Sequence, residues 1–147
     1  IARTAALCEG IDAPTFVGHY LSREHRDARA TGCTMAALGG DAARQPETVQ
    51  KAFVDGVERL VAALIQPSSD STASDAAQAR VRILDVLAHA LGALVLSRAC
   101  PDDSPLADEV LAVSRQAILE SLRPQLGAPT ARAAKARRTA SRRRSAG

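Results

Sequence analysis

One stretch of this 147-residue chain constrains its fold more than any other: residues 76–100, AAQARVRILDVLAHALGALVLSRAC. Alanine and leucine dominate the stretch and it contains no proline, so it predicts a helix. From Val81 to Cys100 only Arg82, Asp85, His89, Ser97 and Arg98 are strongly polar, and Gln78, Arg82, Asp85 and His89 follow one narrow stripe. Such a helix is buried on more than one side. We therefore expect one side to meet the core of the chain and a second copy of the chain to cover the other.

The composition also favours helices. Hydrophobic residues make up 46% of the chain, but Phe16, Tyr20 and Phe53 are its only aromatic residues, so packing depends on alanine, leucine and valine. The apolar spacing between short polar connections predicts an all-α, antiparallel domain of about five or six helices. The last two helices are apolar on two sides and are expected to form half of a dimeric four-helix bundle.

Capping residues indicate where several of these helices begin. Asp12 is expected to cap a helix that fades through residues 22–27. Ser74 or Asp75 is expected to cap the central helix. The last helix is expected to span Pro105–Leu122, because proline is favoured in a first helical turn.

Charge divides the chain into two parts. Residues 123–147 carry eight basic side chains and no acidic one, whereas residues 1–122 carry 11 basic and 16 acidic residues, a net charge of −5. We therefore predict a helical domain over residues 1–126 and a basic low-complexity tail over residues 127–147. The tail is either simply solvated or contacts nucleic-acid phosphates without sequence specificity.

The spacing of cysteine and histidine favours neither a metal site nor catalysis. Cys8, Cys33 and Cys100 lie far apart, as in reduced intracellular thiols, and no signal peptide is evident, which predicts a cytoplasmic protein. The close ligand pairs of a zinc site and the local signature of a catalytic cysteine are both lacking. Arg82 and Asp85 argue against a membrane span in the longest apolar run. The sequence therefore predicts no enzyme activity, cofactor, metal or membrane partner.

Four segments carry a family resemblance. They are residues 20–27 (YLSREHRD), 32–45 (GCTMAALGGDAARQ), 91–99 (LGALVLSRA) and 106–111 (LADEVL). In order and spacing they are similar to the C-terminal domain of TetR-family (tetracycline-repressor-type) transcriptional regulators. The resemblance covers most of residues 1–123 and implies an effector-binding domain that homodimerises through its last two helices. It also implies a helix-turn-helix DNA-binding domain ahead of this one, which we expect to be missing because the chain lacks an initiator methionine.

The half of the chain that holds the aromatic residues is the candidate effector site. Its side chains are either plain core or, as the resemblance implies, the wall of a cavity for a small apolar effector. His89 lies one turn after Asp85. The two are either a solvated pair at the edge of the dimer interface or polar groups that face the effector or the partner. The predicted ligand-binding residues are Phe16, Tyr20, Met35, Phe53, Val57 and His89.

The candidate dimer surface centres on Ala88 and Gly92, one turn apart on the central helix. Small residues there let a facing helix approach, and a glycine in mid-helix otherwise costs about 1 kcal/mol. The alternative is that Gly92 makes room for a helix of its own chain. The predicted dimerisation residues are Leu84, Ala88, Leu91, Gly92, Val95, Leu106, Val110, Val113 and Ala117.

These predictions combine into one functional hypothesis. The chain is the ligand-sensing and dimerisation domain of a TetR-like transcriptional regulator, and its effector changes DNA binding by the missing N-terminal domain. Its partners are then a second copy of itself, a small apolar effector and, through that domain, DNA. The alternative, from a different functional class, is a free-standing helical dimerisation or adaptor protein without a ligand.

Overall fold

The computed structural model describes residues 8, 10–65 and 72–123, and within these ranges the regular structure is entirely helical. The helices are α1 (Ala13–Tyr20), α2 (Arg23–Asp27), α3 (Thr34–Ala42), α4 (Glu47–Leu64), α5 (Ala73–Ala99) and α6 (Pro105–Leu122). The predicted all-α domain of five or six helices is confirmed, and α6 has the predicted bounds. The dimeric bundle stays a prediction. The predicted tail and most of residues 1–9 lie outside the described residues.

Helix α5 is the centre of the domain because it packs against each of the other five helices. Its most extensive contact is with α6. Leu94 of α5 is completely buried, and burying one leucine side chain contributes roughly 1.5–3 kcal/mol. The buried residues of α5 recur at helical spacing along one face: Ile83, Val86, Leu87, Ala90, Ala93, Leu94 and Ser97.

The start of α5 differs from the prediction. The N-cap is Thr72, and not Ser74 or Asp75. Thr72 Oγ1 accepts a hydrogen bond from Asp75 N at 3.2 Å, and Asp75 Oδ2 accepts one from Thr72 N at 2.9 Å. This reciprocal pair satisfies two backbone N–H groups at the helix end, and bonding to Thr72 lowers the pKa of the Asp75 carboxyl. Several neighbouring residues are good caps, so the sequence did not discriminate between them.

The first two helices are separate. Asp12 caps α1 as predicted, because its carboxylate accepts a hydrogen bond from Thr15 N at 2.8 Å. The predicted continuation of this helix through residues 22–27 is wrong. Ser22 has an extended backbone, and its hydroxyl accepts a hydrogen bond from His25 N at 3.1 Å, which caps a new helix. The new helix, α2, packs against α5.

A fully buried arginine of α2 closes the C-terminal end of α5. The guanidinium of Arg26 donates to Ser97 O at 3.0 Å and to Cys100 O at 3.1 Å, where the last carbonyls of a helix lack regular helical partners. It also forms ion pairs with Asp27 at 2.6 Å and Asp102 at 3.0 Å. Those two aspartates are 48% and 74% exposed, so the covered guanidinium lies close to the protein surface. Burial opposes its charge, but bonding to the carboxylates raises the pKa of Arg26 on balance.

Arg98, near the end of α5, binds α2 in return. Its guanidinium donates to His25 O at 2.9 Å and to Arg26 O at 3.0 Å, both in the last turn of α2. Gly32 makes room for this arginine, since a Cβ atom there would lie 2.7 Å from Ala28 O and 2.8 Å from Arg98 Nη2. The ends of α2 and α5 are therefore each capped by an arginine from the other helix.

Candidate functional site

Helix α5 carries a second apolar face, opposite its buried one. Along it Val81, Leu84 and Val95 are 67%, 39% and 44% exposed. Helix α6 carries a similar stripe, in which Leu106 and Val113 are 53% and 61% exposed. A stripe of large apolar side chains at the surface of a small domain indicates a surface that another molecule covers.

The residues predicted to form the dimer surface make up most of this face. Seven of the nine are exposed, and Leu91 and Val110 are half-buried. The prediction missed Val81, although it lies three residues before Leu84 at the same helical spacing. We call Val81 and the nine predicted residues the α5–α6 apolar face: Val81, Leu84, Ala88, Leu91, Gly92, Val95, Leu106, Val110, Val113 and Ala117.

Gly92 has open space around it. A Cβ atom at this position would meet no described residue within 4 Å beyond the adjoining turns of its own helix. Contrary to the alternative prediction, none of the helices in the described ranges occupies the space beside Gly92. The glycine leaves a shallow gap in the α5–α6 apolar face, where a facing helix can approach closely.

The structure places the six predicted ligand-binding residues in three environments. Phe16, Tyr20 and Met35 are buried in the hydrophobic core, where the Phe16 and Tyr20 rings stack with a centroid distance of 5.0 Å. Phe53 and Val57 are partly buried against that core. The sixth, on α5, is His89, and it is exposed.

A cleft of about 600 Å³ opens beside α3 and α4. Phe53 is the one predicted ligand-binding residue that lines it, and Leu38 and Val49, 48% and 45% exposed, add to its apolar wall. A volume of this size is typical of small-molecule sites. We call it the α3–α4 cleft, and its lining is Thr34, Leu38, Asp41, Ala42, Gln45, Val49, Ala52, Phe53, Gly56 and Arg59.

The phenol of Tyr20 is buried and has no hydrogen-bond partner among the described residues. Its surroundings include the thiols of Cys33 and Cys8, and sulfur is only a weak acceptor. Burial raises the pKa of Tyr20 far above its usual range, and burial together with Cys33 raises the pKa of Cys8. The hydroxyl is therefore desolvated with no more than a weak sulfur contact to offset the cost.

Tyr20→Phe is expected to leave the free energy of unfolding unchanged or to raise it by about 1 kcal/mol, because an unpaired buried hydroxyl costs about 1–3 kcal/mol. Urea unfolding measures the difference. Tyr20→Leu is the control, since it also removes the ring that stacks on Phe16 and should destabilise the protein. A clear loss of stability in Tyr20→Phe would mean that the hydroxyl has a strong partner after all.

No protein-family model, curated protein or solved structure matches the chain. The TetR-family resemblance therefore stays a prediction. None of the helices in the described ranges is long and apolar enough to cross a membrane. Within the same ranges, no three side chains of His, Cys, Asp or Glu converge as a possible metal site. Two surfaces of the described domain are suited to binding another molecule, the α5–α6 apolar face and the α3–α4 cleft.

Proposed function

We propose that this domain is the ligand-sensing and dimerisation part of a TetR-like transcriptional regulator. The α5–α6 apolar face is the observation that carries the proposal. Its exposed leucines and valines follow two neighbouring helices, and a two-fold axis would bury them against the same residues of a second copy. The dimer interface would then be a four-helix bundle, to which each copy contributes α5 and α6.

The position of α5 supports a coupling between ligand and dimer. Helices α3 and α4, which line the cleft, both pack against α5. The α5–α6 apolar face lies on the opposite side of the same helix. An effector that binds one arrangement of α3 and α4 more tightly would therefore also favour one position of α5, and with it one dimer geometry. The family resemblance implies DNA-reading helices in the whole regulator, and their separation would follow that geometry.

A dimerisation or adaptor protein without a ligand would use the same apolar face. The α3–α4 cleft favours the sensing function, because its volume of about 600 Å³ suits a small molecule. An adaptor needs no such cleft beside the helices that pack on its dimer-forming helix.

The test compares two exposed valines. In sedimentation at micromolar concentration, we expect the wild-type protein to be a dimer. Val113→Arg places a charge in the proposed interface and should weaken the dimer by at least about tenfold, or 1.4 kcal/mol. Val54→Arg is the matched control: Val54 is 56% exposed against 61% for Val113, but it lies on α4, so this variant should dimerise like the wild type.

Two results would contradict the proposal. A wild-type protein that sediments as a monomer at micromolar concentration refutes the dimer. A dimer that Val113→Arg and Val54→Arg weaken equally does not use the α5–α6 apolar face.

A further inference from the structure

The α3–α4 cleft contains one charge that no described residue neutralises. The carboxylate of Asp41 accepts a hydrogen bond from Arg44 at 2.5 Å, so its charge is compensated. Arg59 forms no ion pair or hydrogen bond with any residue in the described ranges. The guanidinium of Arg59 is therefore the free cation of the cleft.

The acidic residues nearest to Arg59 in sequence form no ion pair with it. Glu58 accepts two hydrogen bonds from Arg80, at 2.6 and 2.8 Å, which lower the pKa of its carboxyl. Asp55 lies one helical turn before Arg59, yet the two form no ion pair, and Asp55 does not line the cleft. An incoming anion thus meets a guanidinium with all its donors available to it.

The apolar part of the cleft lies along α4 on the N-terminal side of Arg59. Its lining on this helix runs from Val49 to Arg59, about 15 Å at about 1.5 Å per residue. Phe53 lies near the middle of this length, and Leu38 of α3 also lines the cleft. A ligand that fills the cleft is therefore elongated, apolar over most of its length and anionic at one end.

We infer that the α3–α4 cleft binds an amphipathic carboxylic acid with a medium-length alkyl chain. A guanidinium presents two parallel N–H donors that match the two oxygens of a carboxylate. The one unpaired guanidinium supplies a single positive charge, which matches a monoanionic carboxylate and would neutralise only half the charge of a dianion such as a phosphate monoester. The inference rests on the proposed function, since it names the class of effector that the sensing domain would bind.

Decanoate and decan-1-ol are the probes, because they share a chain and differ in the charged group. In calorimetric titrations of the whole chain, we expect decanoate to bind at least about tenfold more tightly than decan-1-ol. Arg59→Gln should remove this preference and retain the binding of decan-1-ol. Arg115→Gln changes the net charge equally on the distant helix α6 and should keep the preference.

A second variant tests the location. Leu38 is 48% exposed and lines the cleft, so Leu38→Glu should fold and should repel decanoate more than decan-1-ol. Equal binding of the two probes by the wild type, or a preference that survives Arg59→Gln, overturns the carboxylate assignment. Binding that Leu38→Glu leaves unchanged overturns the location, and no binding of either probe overturns the inference as a whole. The proposed dimer is tested separately by sedimentation, so the two failures are distinguishable.

Discussion

Replacing Arg26 with leucine is expected to lower the free energy of unfolding by about 3–5 kcal/mol, because the change removes several hydrogen bonds that a buried charged group makes at the end of α5. The guanidinium supplies hydrogen bonds to Ser97 O, Ser97 Oγ and Cys100 O at the end of α5. A hydrogen bond to a charged group contributes about 1.5–3 kcal/mol, and leucine recovers only part of this loss through apolar burial. Urea unfolding followed by far-ultraviolet circular dichroism measures the loss.

Arg23→Leu is the matched control for this variant. Arg23 lies on the same short helix and also binds two aspartates, Asp27 and Asp108, each at 2.9 Å, but its side chain is 41% exposed. Exposed ion pairs contribute little to stability, so Arg23→Leu should have a much smaller effect. Equal losses in Arg23→Leu and Arg26→Leu would show that the end of α5 does not depend on the buried guanidinium.

The burial of Arg26 could not be predicted from the sequence. Arg23, Arg26 and Arg29 lie in one short polar segment, yet their side chains are 41%, 0% and 55% exposed. The difference arises because α2 packs against a helix end 71 residues away in sequence. Local composition is the same for all three arginines, so only the tertiary contact distinguishes them.

Helix boundaries were predictable where a single residue with a strong positional preference starts or caps the helix. Pro105 starts α6 and Asp12 caps α1, as predicted, because fixed backbone geometry and a short acceptor side chain act locally. The division between α1 and α2 was missed. It depends on the Ser22 hydroxyl, in a segment whose other residues are compatible with a continuous helix.

The exposed apolar face of α5 was easier to predict than the cleft. Helical spacing separates the two apolar faces of α5, and the exposed one contains the predicted positions. The cleft depends on where α3 lies beside α4 in the folded chain, and helical spacing carries no information on that. Leu38, Val49 and Phe53 repeat as core residues do, so the sequence could not indicate that they face a cleft.

Replacing Gly92 with leucine is expected to raise the dissociation constant of the proposed dimer by at least about 30-fold, because overpacking costs about 1–3 kcal/mol per site and a two-fold dimer contains the site twice. Sedimentation over a range of concentrations measures this change. In the single chain, a Cβ atom at position 92 meets no described residue within 4 Å beyond the adjoining turns of its own helix. Leucine is also a better helix former than glycine by about 1 kcal/mol. The variant should therefore dissociate without losing the stability of its own fold.

Gly92→Ala separates the two effects of that substitution. Alanine gains at least as much helix propensity as leucine but adds a single methyl group, so this variant should be more stable than the wild type and should dimerise far better than Gly92→Leu. Urea unfolding at concentrations below dimerisation gives the stability of the single chain for both variants. A Gly92→Leu protein that dimerises like the wild type would move the interface away from α5. One that is monomeric but also less stable than the wild type would show that position 92 packs within its own chain, because only an intramolecular clash lowers the stability of a monomer.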